Sequence, residues 1–200
     1  MLFMNISSDW VHLLDDQDES FLERNGIENT LGPTLLTYST THPIATIYLL
    51  NGPGGFTNLR VGTLALNTLN ALLQNDTGTF IPIASITKID FYAYLHKQGW
   101  LPRYGVIYIG QKRNVRECDF QEHTHKQITL DEVQYSDQTF LDFVHDPYWP
   151  TTDAMISFTM RNNTLHMHYK GNSHAIEIRD LCIPLMLSVE PEYMIQPTMN

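Results

Sequence analysis

A short apolar run, a glycine-rich turn and a long amphipathic run follow one another between Ile44 and Gln74, and this succession constrains the fold more than any other stretch. Ile44-Ala45-Thr46-Ile47-Tyr48-Leu49-Leu50 is continuous and rich in β-branched and aromatic residues, the pattern of a buried strand. Gly52-Pro53-Gly54-Gly55-Phe56-Thr57-Asn58-Leu59-Arg60 then turns the chain. Its glycines reach backbone conformations closed to other residues, and Thr57 stands where an N-cap is expected. Residues Asn58 to Gln74 carry apolar side chains at helical spacing, so the local unit reads as strand, turn, helix.

Such a turn invites a phosphate, because a helix N-terminus offers free N–H groups and the positive end of the helix dipole. No lysine follows the glycines as in a Walker loop, and Thr57 occupies the third-glycine position of the Gly-x-Gly-x-x-Gly spacing. The residues favour a structural turn, with a phosphotransferase loop over Gly52 to Thr57 as the rival. In the helix behind it, Leu59, Gly62, Leu66, Leu69 and Leu73 share one face at 100° per residue, and Val61, Ala65, Thr68 and Leu72 form a second beside it, with Leu64 and Ala71 beyond. Arg60, Thr63, Asn67, Asn70 and Gln74 make the polar stripe. An apolar arc of roughly two thirds of the circumference is wider than a helix on one sheet needs. Two covers for it stay open: neighbouring helices of the same chain, such as Ile86 to Leu95, or a second chain.

Read as a whole, the nonapeptide Gly52 to Arg60 resembles the Gly-Pro-Gly-Ser-Phe-Thr-Gly-Leu-Arg signature of the TsaB (YeaZ) family, matching at Gly52, Pro53, Gly54, Phe56, Thr57, Leu59 and Arg60. The stretch Glu28 to Leu36 resembles the family's first helix, with Pro33 on its proline and Leu31 on a leucine, and Val189-Glu190-Pro191-Glu192-Tyr193-Met194 resembles its Pro-x-Tyr-Leu-Arg tail, with Met194 and Ile195 replacing leucine and arginine. The resemblance implies an α/β fold of the actin-like or Hsp70-like (ASKHA, RNase H-like) class, with an N-terminal lobe over 1–100 and a degenerate second lobe over 101–200. It implies a non-catalytic scaffold or activator that pairs with a TsaD-type enzyme for threonylcarbamoyladenosine modification of tRNA. A TsaE-type ATPase would join a larger complex, and tRNA would be reached only through that complex. The partner contacts it implies are Leu59, Val61, Ala65, Leu66, Leu69 and Leu72, joined by Leu31 and Leu35; self-pairing through the same helices is a second outcome the sequence leaves open. No cofactor and no metal are implied.

At the end of the first strand Asn5-Ile6-Ser7 stands where the family has Asp-Thr-Ser. An amide lacks the charge hard cations prefer, so Asn5 and Ser7 read as a hydrogen-bonded turn. A formal net charge of −10, from twelve Lys and Arg against twenty-two acids, argues against unaided nucleic-acid binding. With 42% hydrophobic and 17% charged residues over 200 positions the chain can bury a core without staples. No membrane span or leader is evident, so a cytoplasmic protein is expected. Cys118 and Cys182 suggest two buried, reduced thiols. His123-x-His125 and His166-x-His168 place histidines on one strand face, the basis of a rival metallohydrolase reading, yet no carboxylate or cysteine recurs beside them.

Along the rest of the chain, Leu2 to Ile6, Val11 to Leu14 and Ser20 to Arg24 predict an antiparallel meander. Gly32 and Pro33 predict a short or irregular first helix, ended by Ser39 to Pro43. Phe80 to Ala84 predicts a strand, and Ser85 caps the helix after it. Tyr104 to Gly110 and Val115 to Phe120 predict a hairpin opening the second lobe, and Ser136 a helix through Phe140, Leu141, Phe143 and Val144 stopped by Pro147. Met155 to Met160 pairs with Thr164 to Tyr169 across Asn162-Asn163, a type I′ turn.

Overall fold

Alternation by two divides the first strand, β1 (Leu2–Asn5), between two layers: Leu2 and Met4 enter one apolar cluster and Phe3 enters another. The computed structural model describes residues 1–42, 44–111, 113–145, 149–150, 152–177, 181 and 183–193. β1 pairs antiparallel with β2 (Val11–Leu14), which pairs antiparallel with β3 (Glu19–Leu22). On its other edge β1 runs parallel to β4 (Ile47–Leu50), and β4 parallel to β5 (Ile83–Ile86), giving the order β3-β2-β1-β4-β5. The helices α1 (Ile27–Thr41) and α2 (Phe56–Thr77) make the two connections into the parallel strands and cover Leu2, Met4 and Ile6. A third helix, α3 (Lys88–Lys97), places Phe91, Tyr92 and Leu95 in the cluster around Phe3.

The second half repeats this plan. Strands β6 (Tyr104–Gln111), β7 (Asn114–Asp119) and β8 (Thr124–Thr129) form a meander, and β9 (Thr139–Leu141) lies parallel to β6, giving β8-β7-β6-β9 with the directions of β3-β2-β1-β4. Where the first copy has α1, the second has a single 3-10 turn, Leu130–Glu132. A meander followed by a parallel strand is thus made twice in one mixed α/β chain, with the second copy reduced. A further meander, β10 (Ser157–Arg161), β11 (Thr164–Tyr169) and β12 (Asn172–Ile176), packs Phe158, Leu165 and Met167 into the cluster around Phe3. Its first turn has Asn162 and Asn163 at φ 51° and 58°, the left-handed pair a type I′ turn requires. The strand β13 (Leu185–Met186) returns to the first sheet, antiparallel to β5, so the second hundred residues complete the sheet of the first.

Several local expectations are corrected. The first helix is regular over fifteen residues with Pro33 inside it. A proline there costs about 3 kcal/mol, but Ile27, Leu31, Leu35 and Tyr38 fall on one stripe and are all buried, each side chain contributing roughly 1.5–3 kcal/mol. Packing therefore outweighs propensity. The cap of α2 is Gly55, not Thr57, and no side chain caps it. Ser85 lies in β5, and Thr87 caps α3 by accepting the Asp90 N–H at 3.1 Å. Phe140 and Leu141 form strand β9 instead of a helix: both are fully buried and pair with β6, a long-range partner that helical spacing cannot reveal. Pro43, Pro147, Cys182, Met194 and Ile195 lie outside the described residues.

A buried charge pair fastens the two halves of the chain. Lys88 opens α3, Asp142 follows β9, and both are fully buried. Lys88 Nζ donates to Asp142 Oδ2 at 2.5 Å and to the Tyr108 carbonyl at 3.3 Å. The same carboxylate accepts from the Tyr92 hydroxyl at 2.5 Å and the Tyr108 N–H at 3.0 Å.

Candidate functional site

The glycine turn is a packing hub. A Cβ on Gly54 would stand 2.4 Å from the Ser7 backbone, one on Gly52 2.2 Å from the Glu192 carbonyl, and one on Gly110, at the end of β6, 2.5 Å from the Gly54 carbonyl. Gly52, Pro53 and Gly55 are buried. The Gly52 carbonyl accepts the Lys88 N–H at 2.6 Å, and the Asn58 amide donates to the Ser8 and Asp9 carbonyls at 2.9 and 2.8 Å. The turn thus meets the β1–β2 loop, α3, the second lobe and the C-terminal segment, and its close approaches explain why glycine stands where it does. Asn5 Oδ1 accepts from the Ser7 N–H and hydroxyl at 2.9 and 2.7 Å, the hydrogen-bonded turn expected of these residues.

Turning out of this hub, α2 splits its circumference three ways. Leu59, Leu66 and Leu69 point into the core with at most 4% exposure, as do Leu31 and Leu35 on α1. These five of the expected partner contacts are therefore spent on the chain's own packing. The supposed polar stripe is largely covered: Thr63 and Asn70 are buried and Asn67 half-buried, whereas Arg60 is exposed beside Phe56. Asn67 accepts the Val189 N–H and donates to the Val189 carbonyl, both at 2.9 Å, and Asn70 does the same for Ile81 at 2.9 Å. Asn67 and Asn70 of the polar stripe hold main chain outside their own helix.

The third sector is open. Val61, Leu64, Ala65, Thr68 and Leu72 face Gly32, Pro33 and Leu36 of α1 across a groove of about 410 Å³, with Glu28 at its rim. Leu64 is 67% exposed, Leu36 47% and Leu72 46%, while Val61 and Ala65 are half-buried. Of the sequence-derived contacts, the structure brings Val61, Ala65 and Leu72 together here, with Leu69 at the floor. The expected contacts lack Leu36, because a short or irregular first helix offers no regular stripe, and Leu64, because it lies beyond the second face. From Val61 to Leu72 the helix advances about 16 Å at 1.5 Å per residue. Spacings of three, four and four along Val61, Leu64, Thr68 and Leu72 form a seam of the kind that receives another helix.

The histidine pairs serve elsewhere. His123 sits in a turn at φ 54°, His125 is exposed on β8, and His168 Nε2 meets the Thr159 hydroxyl at 2.8 Å on the third sheet. Among the described residues, no group of three or more His, Cys, Asp or Glu is placed to hold a metal ion. Cys118 is buried, and burial pushes its thiol up to about 12. No helix among the described residues is long and apolar enough to cross a membrane.

Fold and groove define a mixed α/β protein with a two-helix face left open by the described residues. No family model matches the chain, and no curated protein matches it in sequence. Among solved structures it is similar to YeaZ from Pseudomonas aeruginosa, with a TM-score of 0.42 and 14% identity over 70% of this chain and 74% of that one. It is also similar to an uncharacterized protein with similarity to peptidase YEAZ from Pseudomonas aeruginosa, at a TM-score of 0.38, 14% identity and the same coverage of 70% and 74%.

Proposed function

We propose that the chain is a non-catalytic scaffold or activator subunit of the TsaB type, which pairs with a TsaD-type enzyme in threonylcarbamoyladenosine modification of tRNA. The observation that carries this reading is the open groove between α1 and α2, the latter being the helix that follows the nonapeptide on which the sequence resemblance is strongest. A groove about three helical turns long, apolar along its seam and lined by the small residues Gly32 and Ala65, suits an amphipathic helix of a partner. Burying an exposed leucine such as Leu64 contributes on the order of 1.5–3 kcal/mol, offset in part by ordering and rigid-body costs. With a net charge of −10 the chain needs its partners to hold tRNA, and a TsaE-type ATPase would complete the assembly.

Size-exclusion chromatography of the chain with its cognate TsaD-type protein tests the reading. A one-to-one heterodimer is expected at micromolar concentration, lost in the folded variants Leu64→Glu and Leu36→Glu. Absence of a heterodimer, or pairing that survives both substitutions, would overturn it. Elution of the chain alone as a dimer sensitive to the same substitutions would instead assign the groove to self-pairing.

A further inference from the structure

Beyond β13 the C-terminal segment runs along α2 as an extended strap held by its main chain. Asn70 donates to the Leu187 carbonyl at 2.9 Å, and Asn67 grips Val189 through both its N–H and its carbonyl. Asn51 donates to the Glu190 carbonyl at 2.7 Å and accepts the Glu192 N–H at 3.3 Å. Three side-chain amides thus stand in for the missing edge of a neighbouring strand, and they read backbone, not side chains. Val189 is the strap's one deeply buried side chain, at 4% exposure, whereas Leu185, Leu187 and Tyr193 are 61%, 54% and 41% exposed. Asn70 also holds Ile81 through both its N–H and its carbonyl.

We propose that this strap releases and reseats as a unit while the rest of the molecule stays folded, and that when seated it is one wall of the partner-binding face. A segment with few buried apolar contacts and mostly exposed side chains opens locally before the core does. The second half of the proposal rests on the docking reading above. Val61 and Leu64 line the α1–α2 groove and also a second cavity, about 570 Å³, whose far side is Val189, Glu190, Pro191 and Tyr193. Tyr193 stacks on Phe56 at 5.1 Å, and both rings line that cavity together with Leu64. A partner covering Leu64 meets the strap and holds it in its seat.

Native-state hydrogen exchange followed by NMR on the full chain tests both halves. The Val189 amide is expected to exchange at least 100-fold faster than those of Met4 and Leu49, with a rate almost insensitive to low urea, while the Met4 and Leu49 rates rise steeply. Val189 exchanging at the core rate with the core's urea dependence would overturn independent release. On adding the TsaD-type partner, the Val189 rate is expected to fall at least tenfold. A heterodimer that leaves Val189 unchanged overturns the wall while sparing the docking reading. Failure to form any heterodimer overturns the docking reading and the wall with it, and leaves the release result standing on the isolated chain.

Discussion

Replacing Lys88 with methionine removes a charge from a fully buried ion pair that joins α3 to the residue after β9. The substitution keeps an unbranched stem of similar length, so the cavity term is small and the electrostatic term dominates. It leaves the Asp142 carboxylate fully buried with the Tyr92 hydroxyl and the Tyr108 N–H but no cation. Breaking a buried pair by removing one partner costs roughly 3–5 kcal/mol. For a chain of this size each kcal/mol lowers Tm by about 2–4 °C, so a fall of about 6–20 °C is expected. Asp142→Leu is worse, because it strands three donors at once: the Lys88 ammonium, which burial already pushes toward its neutral form, the Tyr92 hydroxyl and the Tyr108 N–H. The double variant Lys88→Met/Asp142→Leu removes both ions and should be more stable than Asp142→Leu alone. It stays below the parent because two unpaired donors remain, at about 1–3 kcal/mol each. Urea titrations of the four proteins form a double-mutant cycle. A Lys88→Met variant within about 1 kcal/mol of the parent, or a cycle with additive singles, would refute the reasoning.

The remaining expectations concern other parts of the frame. Burial holds the His12 pKa below its ordinary 6.5, with the Glu19 carboxylate 2.9 Å away opposing the shift. The unfolded chain therefore takes up the proton first as pH falls, so stability is full above pH 6.5 and declines from there toward the folded pKa. His12→Phe should flatten that decline between pH 7.5 and 5.5 in urea titrations, and a parent equally stable at both would contradict it. Gly54→Ala forces a Cβ to 2.4 Å from the Ser7 backbone and should cost about 1–3 kcal/mol or more, whereas Gly32→Ala meets nothing within 4 Å and should stabilise the isolated chain by about 0.5–1 kcal/mol. Equal effects of the two on Tm would undo the hub argument. Asn70→Ala leaves the buried Ile81 N–H and two carbonyls unpaired and should cost about 1–3 kcal/mol, read by calorimetry.

How much of this was legible depends on whether the deciding contact was local. The opening meander, β4, α2, the β6–β7 hairpin and the Asn162-Asn163 turn follow from periodicity and turn chemistry, which act within a few residues. The regular α1 did not, since the proline penalty is visible in sequence and the sheet that offsets it is not. Phe140-Leu141 became a strand because β6 lay beside it, more than thirty residues away. The site was half legible. The excess apolar width of α2 could be counted, but which sector stays open depends on where α1 and the strap lie. Leu31, Leu35, Leu59 and Leu66 are taken wholly by the core, Leu69 reaches only the groove floor, and Leu36 and Leu64 supply exposed surface that the sequence pattern does not single out. The partners of Asn67 and Asn70 in the polar stripe were hidden for the same reason: nothing near them in sequence announces Val189 or Leu187.

The width of α2 then has a single cause in the turn before it. A helix needs about a 100° stripe to sit on one sheet, and α2 serves three neighbours: the sheet, the strap and the open groove. Those three sectors stay in register only if the helix leaves β4 at one fixed angle. Gly52, Gly54 and Gly110 fix it by letting backbones approach where a Cβ would collide. A tilt of α2 would slide Asn67 off Val189 and move Leu64 relative to Leu36 together, because both belong to the same rigid helix. The glycines therefore act on the groove through geometry: a substitution at Gly54 that leaves the chain folded should weaken partner pairing and speed Val189 exchange in the same variant, although Gly54 lines neither feature.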